Sequence, residues 1–210
     1  MFSDFVFSSA ARERRKLRFV IKIIQLGGEL VKLVAIWGGR VLYFLKRLWR
    51  AKMLRVMFVC LGNICRSAMA ECVMTRLVNE CGLCDEFIID SAGTSDEEQG
   101  NGIYPPAERK LRAEGIEILP HRAKRLKASD YDRFDLFLCA EQSNVASAKY
   151  IFGGDREGKV FRMLDLSKNP RNIADPWWTR DYDIAYNDIL EACKSLLGYA
   201  TANGYIRRGK

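Results

Sequence analysis

The chain is short of several things that would decide its class at once. It has one histidine in 210 residues, His121, and a single Cys-x-x-Cys pair, Cys81 and Cys84. No zinc site can be completed from these, so no metal or other cofactor is expected. It has no stretch of 18 residues free of charge, which argues against a membrane-spanning helix, and it has no internal repeat or low-complexity linker. Nor does it have a disulfide framework: its seven cysteines, at 60, 65, 72, 81, 84, 139 and 193, are odd in number and scattered through apolar stretches. That usage suits a reducing compartment, so a cytoplasmic location is expected. For Cys81 and Cys84 the plain reading is a helix end followed by a turn at Gly82.

The chain does have a hydrophobic content of 49%, enough for one proper core, and a net charge of +8 placed at one end. Residues 1–55 carry 13 Lys or Arg against 3 acidic residues, giving +10, so residues 56–210 carry −2. Residues 1–52 read as a basic amphipathic extension. Arg18, Lys22, Gln25, Glu29 and Lys32 form a narrow polar stripe, Trp37 and Trp49 are available to an interface, and Gly27-Gly28 and Gly38-Gly39 bend the segment. Peripheral contact of residues 12–50 with anionic membrane at its inner face is the expectation. Packing against the rest of the chain or a sister chain competes with it, as does a native start at Met53. Charges interrupt the apolar runs, so a secretory signal is not expected, and no nucleic-acid module accompanies the basic residues.

Residues 53–210 alternate strand-like and helix-like patterns. Strands are predicted over Arg55–Cys60, Phe87–Asp90, Phe134–Cys139 and Lys159–Leu164. Helices are predicted over Arg66–Cys81, Pro105–Glu114, Gln142–Ile151 and Tyr182–Tyr199. Repeated βα units imply an α/β domain, a four-stranded parallel sheet with helices on both faces, whose ligands bind at the carboxyl ends of the strands.

At one such end lies Cys60-Leu-Gly-Asn-Ile-Cys-Arg66, between an apolar run and a helix start. A loop of this length turns backbone N–H groups inward, and the helix start adds its own unsatisfied N–H groups and positive dipole end. The result suits a tetrahedral dianion. Arg66 supplies a planar fork for two phosphate oxygens, and the same charges favour the nucleophilic thiolate at Cys60. Ser67 can donate its hydroxyl to that sulfur or satisfy the helix start. Gly62 permits a tight turn, and Asn63 tolerates left-handed geometry while bracing the loop with its amide. Leu61, Ile64 and Cys65 complete the phosphate-binding loop, Cys65 either as packing or as a thiol able to shield Cys60 by a reversible disulfide.

Val59-Cys60-Leu-Gly-Asn-Ile-Cys-Arg-Ser67, followed by Ala70-Glu71, resembles the signature of the low-molecular-weight protein tyrosine phosphatases, which have a flavodoxin-like fold. The resemblance spans roughly Met53 to the C-terminus. It implies a general acid at Asp175 in Asp175-Pro176-Trp177-Trp178, loop support from Ser91 in Asp90-Ser-Ala-Gly-Thr94 and from His121, and a cleft walled by Trp177 and Trp178. It further implies a phosphotyrosine protein as substrate, with a bacterial tyrosine kinase as a family-level partner, and an activity optimum at mildly acidic pH.

Two positions depart from the pattern. Ala68 stands where a proline is usual, and Glu97, in Asp96-Glu97-Glu98, stands where an aromatic commonly forms the opposite lip. An acidic lip favours basic residues beside the phosphotyrosine. Ile64 resembles tyrosine-specific members, whereas phosphoarginine phosphatases of the fold tend to carry Thr. Arsenate reduction, phosphoarginine hydrolysis and non-catalytic phosphotyrosine binding at a membrane are the competing readings.

Overall fold

The computed structural model describes residues 53–206. The basic extension, with its expected amphipathic helices and membrane contact, lies outside the described residues. Among those described, no helix is long and apolar enough to cross a membrane.

Four parallel strands form the sheet: β1 (Leu54–Cys60), β2 (Phe87–Gly93), β3 (Leu136–Cys139) and β4 (Val160–Arg162), in the spatial order β2-β1-β3-β4. β1 is central and buried on both faces. Leu54, Val56, Phe58 and Cys60 join one core, and Met57 and Val59 join the other, the period of two expected of a pleated strand.

The first core is closed by α1 (Arg66–Glu80) and α5 (Tyr182–Ala202), which pack on each other, with α2 (Pro105–Ala113) against both. Met69, Val73 and Met74 of α1 meet Ile189, Ala192 and Leu196 of α5 in that cluster. The second core, under α3 (Gln142–Phe152), centres on Phe137, whose ring lies 4.6 Å from Phe152 and 6.0 Å from Tyr131.

Several boundaries differ from the sequence pattern for identifiable reasons. β2 runs three residues beyond Asp90, because Ser91, Ala92 and Gly93 keep parallel register with Phe58, Val59 and Cys60. β3 starts two residues late. Phe134 belongs to a turn on Asp130, and Asp135 is held by the backbone and guanidinium of Arg55. β4 stops at Arg162, where Asp165 folds back onto the Arg162 N–H and starts a 3-10 turn. After α1, the Gly82 N–H reaches Asn79 O and the Leu83 N–H reaches Val78 O, with Gly82 at φ +66°, so this glycine closes the helix in the left-handed region.

The short helix α4 (Pro176–Thr179) falls where the sequence pattern predicts no helix. Asp175 caps it by accepting from the Trp177 N–H at 3.1 Å, and Pro176 takes the first helical position, where no N–H is needed.

Candidate active site

The carboxyl end of β1 passes straight into the loop 61–65 and then into α1, so strand, loop and helix start place Cys60 and Arg66 without any intervening linker. The Cys60 sulfur is nearly buried. It lies 3.0 Å from the Ser67 hydroxyl and accepts from the Asn63 N–H at 3.3 Å.

Asn63 is the centre of the loop. Its φ of +59° lies in the left-handed region, and its side chain is fully buried. Its amide donates to Ser67 Oγ at 2.9 Å and to Ser91 Oγ at 2.8 Å, while its carbonyl oxygen accepts from the Lys124 N–H at 3.0 Å. His121 Nε2 lies 2.6 Å from the Asn63 backbone oxygen, and Ser91 Oγ donates to Glu71 at 2.5 Å. Every polar atom of the asparagine is therefore used, which fixes a turn that a residue of ordinary backbone preference would resist.

Glu71 closes the far side of this network, 3.9 Å from His121 Nδ1. Burial holds its carboxyl above the usual range, against the Ser91 hydrogen bond, which acts in the opposite direction. Sequence reasoning quoted Glu71 only as part of a signature. Its position five residues after Arg66, on the inner side of α1, was the available signal.

Arg66 is 98% buried yet meets two carboxylates. Its Nη2 lies 2.7 Å from Asp175 Oδ2 and 3.2 Å from Glu141 Oε1, and its Nη1 donates to Ile173 O at 3.3 Å. A buried guanidinium needs such partners, and these bring Asp175, 109 residues away in sequence, to the mouth of the loop. Glu141, at the start of α3, was not foreseen.

The segment that carries Asp175 is fastened at its base. Arg171 donates to Asp188 at 2.6 Å and to Glu191 at 2.7 Å, both on α5, and the Ile173 N–H reaches Ala140 O at the end of β3.

The expected cleft walls separate. Trp177 packs its ring 5.0 Å from that of Tyr104, and the Arg180 guanidinium lies 5.8 Å from the indole, whereas Trp178 is 81% exposed. On the other side Glu97 is exposed on the surface. It is Glu98 that leans on the loop: a Cβ at Gly62 would come within 3.0 Å of its Cγ. Leu61 is exposed, and Ile64 and Cys65 are buried beneath the loop. Burial, followed by the charge of Cys60, pushes the Cys65 thiol up to about 12. Tyr104 was missed because the sequence offered it only as the residue before a helix-starting Pro-Pro pair.

Gly93 allows β2 to approach the loop. A Cβ there would lie 2.6 Å from Leu61 O, and the Thr94 and Ser95 N–H groups bond Cys60 O and Leu61 O at 2.9 Å. Among the described residues, no group of three His, Cys, Asp or Glu side chains is arranged to hold a metal ion.

A thiol held by a hydroxyl and an amide, a buried guanidinium beside it and a carboxylate on that guanidinium make an arrangement suited to phosphoryl transfer. Comparison with known proteins agrees. Residues 55–203 match the model of the family described as low molecular weight phosphotyrosine protein phosphatase. The mouse low molecular weight phosphotyrosine protein phosphatase is 35% identical over 147 residues, covering 68% of this chain and 92% of that protein. The low molecular weight protein-tyrosine-phosphatase YfkJ of Bacillus subtilis is 32% identical over 147 residues, covering 69% and 94%. Its crystal structure superposes with a TM-score of 0.69, over 72% of this chain and 96% of that one. The Drosophila arginine phosphatase DARP has a TM-score of 0.64 at 26% identity, over 70% and 97%. The chain belongs to the low molecular weight phosphotyrosine protein phosphatase family.

Proposed function

We propose that the chain is a protein tyrosine phosphatase that hydrolyses phosphotyrosine monoesters through a cysteinyl-phosphate. The observation that carries the reading is the Cys60 sulfur set between the Ser67 hydroxyl at 3.0 Å and the Asn63 N–H at 3.3 Å, with the Arg66–Asp175 pair alongside.

The phosphate docks in the loop from Leu61 to Cys65, and Arg66 exchanges its hydrogen bond from Asp175 to two phosphate oxygens. The Cys60 thiolate attacks phosphorus in line with the leaving oxygen: the S–P bond forms, the P–O bond breaks, and Asp175 gives its proton to the departing phenolate. Water then attacks the cysteinyl-phosphate and loses a proton to the Asp175 carboxylate. Inorganic phosphate leaves and the thiolate returns, steadied by Ser67. No cofactor is consumed. Asp175 is thus the proton donor of the first step and the proton acceptor of the second.

Trp177 supplies an apolar wall for the substrate ring, Ser91 and His121 hold the loop through Asn63, and Glu98, more than Glu97, presents negative charge at the mouth. Ile64 supports phosphotyrosine over phosphoarginine, since a bulky aliphatic offers no hydroxyl to a guanidinium. The likeness to an arginine phosphatase keeps phosphoarginine as the second reading. Residues 1–52 are a separate basic segment whose +10 charge together with residues 53–55 supports contact with the inner, anionic face of a membrane, and the domain itself works in the cytoplasm on a phosphotyrosine protein such as a tyrosine kinase.

The deciding experiment assays wild type, Cys60→Ser and Asp175→Ala on aryl phosphate and on phosphotyrosine and phosphoarginine peptides. Hydrolysis of the phosphotyrosine peptide by wild type, abolished by Cys60→Ser, is expected. Activity retained by Cys60→Ser, or turnover of phosphoarginine alone, contradicts the proposal. Pelleting of the full chain, but not of residues 53–210, with anionic vesicles tests the membrane reading.

A further inference from the structure

The general acid is fastened at the base of its segment by Arg171 and Ile173, but those contacts lie two to four residues before Asp175. On the side facing the phosphate loop the Arg66 guanidinium holds Asp175 Oδ2 at 2.7 Å, but that bond passes to the phosphate when the dianion docks, so a second contact must hold the segment in the bound state. The short helix α4 makes the acid and its neighbour one unit, because Asp175 Oδ1 accepts from the Trp177 N–H at 3.1 Å and the Trp178 and Thr179 N–H groups return to Asp175 O at 3.1 Å. Wherever the Trp177 side chain is held, the Asp175 carboxyl is held too.

Trp177 is held by Tyr104. The two ring centroids are 5.0 Å apart at 53°, a tilted aromatic contact, and Tyr104 is itself bound to the catalytic loop by its N–H, which donates to Ile64 O at 2.8 Å. The other side of Tyr104 packs on the core shared by α1 and α5, and no hydrogen bond to its hydroxyl is made among the described residues. A continuous path therefore runs from Ile64 in the phosphate loop, through the Tyr104 backbone and ring, to the Trp177 indole and the Asp175 cap. The acidic lip at 96–98 supplies no ring to this side of the site.

We propose that Tyr104 is a positioning residue for the general acid: its ring anchors Trp177, and through the α4 cap it holds Asp175 at the distance from the phosphate loop at which the leaving oxygen is protonated. The inference rests on the phosphatase reading and makes a demand that simple structural support does not. Loss of a positioned acid slows esters whose leaving group needs a proton and spares those whose leaving group departs as a stable anion. Loss of general stability lowers both alike.

The test compares kcat/KM for phenyl phosphate and dinitrophenyl phosphate, a quantity that covers the steps through phosphoryl transfer regardless of how fast the cysteinyl-phosphate hydrolyses. Tyr104→Ala is expected to lower kcat/KM for phenyl phosphate about fivefold to tenfold, the scale of a lost aromatic pair, and that for dinitrophenyl phosphate by less than about twofold. Tyr104→Phe, which keeps the ring and removes only the unbonded hydroxyl, is expected to restore the wild-type ratio. Tyr104→Leu keeps apolar bulk on the core and carries the test where the Ala variant does not fold. Equal losses on the two esters, an unchanged ratio, or a Phe variant as impaired as Ala overturns the role of Tyr104. Failure of the wild type to hydrolyse either ester overturns the phosphatase reading instead.

Discussion

Replacing Asn63 tests whether the loop is shaped by one side chain. Asn63→Ala removes two donated hydrogen bonds, to Ser67 and Ser91, both buried, and one accepted from the Lys124 N–H, which is part-buried. At about 1 kcal/mol for each hydrogen bond, the three come to about 3 kcal/mol. Placing alanine at φ +59° adds about 1 kcal/mol of backbone strain that asparagine avoids. The expected loss is about 4 kcal/mol, a large share of the roughly 5–15 kcal/mol available to a domain. Asn63→Gly separates the two contributions, since glycine accepts the dihedral and loses only the hydrogen bonds, so it should be about 1 kcal/mol more stable than the alanine variant. Equilibrium urea unfolding reads both, with unchanged slopes as the sign that the folded and unfolded states are comparable. A loss below about 1 kcal/mol for Asn63→Ala, or equal losses for Ala and Gly, refutes the reasoning.

Three further outcomes follow from the same geometry. Gly93→Ala forces a Cβ to within 2.6 Å of Leu61 O, backbone that cannot give way cheaply, so inorganic phosphate and vanadate affinity should fall along with stability; calorimetry of both anions checks this. Glu71 has a raised folded-state pKa, so its contribution is fully present below the ordinary glutamate range and is lost as pH rises through the folded value. Ser91, Asp90, His121 and Lys124 surround it and act on it in opposing directions, and burial prevails. Glu71→Gln should therefore gain Tm on wild type as pH rises from about 4 to about 7, and a gap that shrinks over that range contradicts the assignment. Alkylation of the folded protein near neutral pH should label exposed Cys81 and Cys84 and spare Cys65, whose thiol is pushed up to about 12, as mass mapping will show.

Much of the fold was legible because the chain is locally consistent. The apolar run before Cys60 could only be a buried strand, and the βα alternation left little choice of sheet. The strand ends were less legible. β2 persists past Asp90 only because β1 is there to pair with it, and β4 ends early because Asp165 captures the Arg162 N–H, neither of which is a local preference. In the site, residues adjacent in sequence were readable as a group: Cys60, Asn63 and Ser67 are hydrogen-bonded to one another in the loop, and Arg66 starts the helix that follows it. Asp175 was reachable through resemblance. Glu71, Glu141 and Tyr104 were not assigned roles, because each earns its place through a partner distant in sequence, respectively Ser91, Arg66 and Trp177. The aromatic side of the cleft illustrates this. The sequence offered Trp177 and Trp178 equally, and only tertiary packing sets Trp177, 39% exposed, against Tyr104 while Trp178 is left 81% exposed.

The central claim is that Cys60 carries the phosphoryl group. Rapid acid quench of wild type mixed with a phosphotyrosine peptide, followed by peptide mass mapping, should find a phosphoryl adduct on Cys60, accumulating further in Asp175→Ala when an activated aryl ester is used. An adduct on any other residue, or turnover with no adduct at Cys60 at any quench time, contradicts the account.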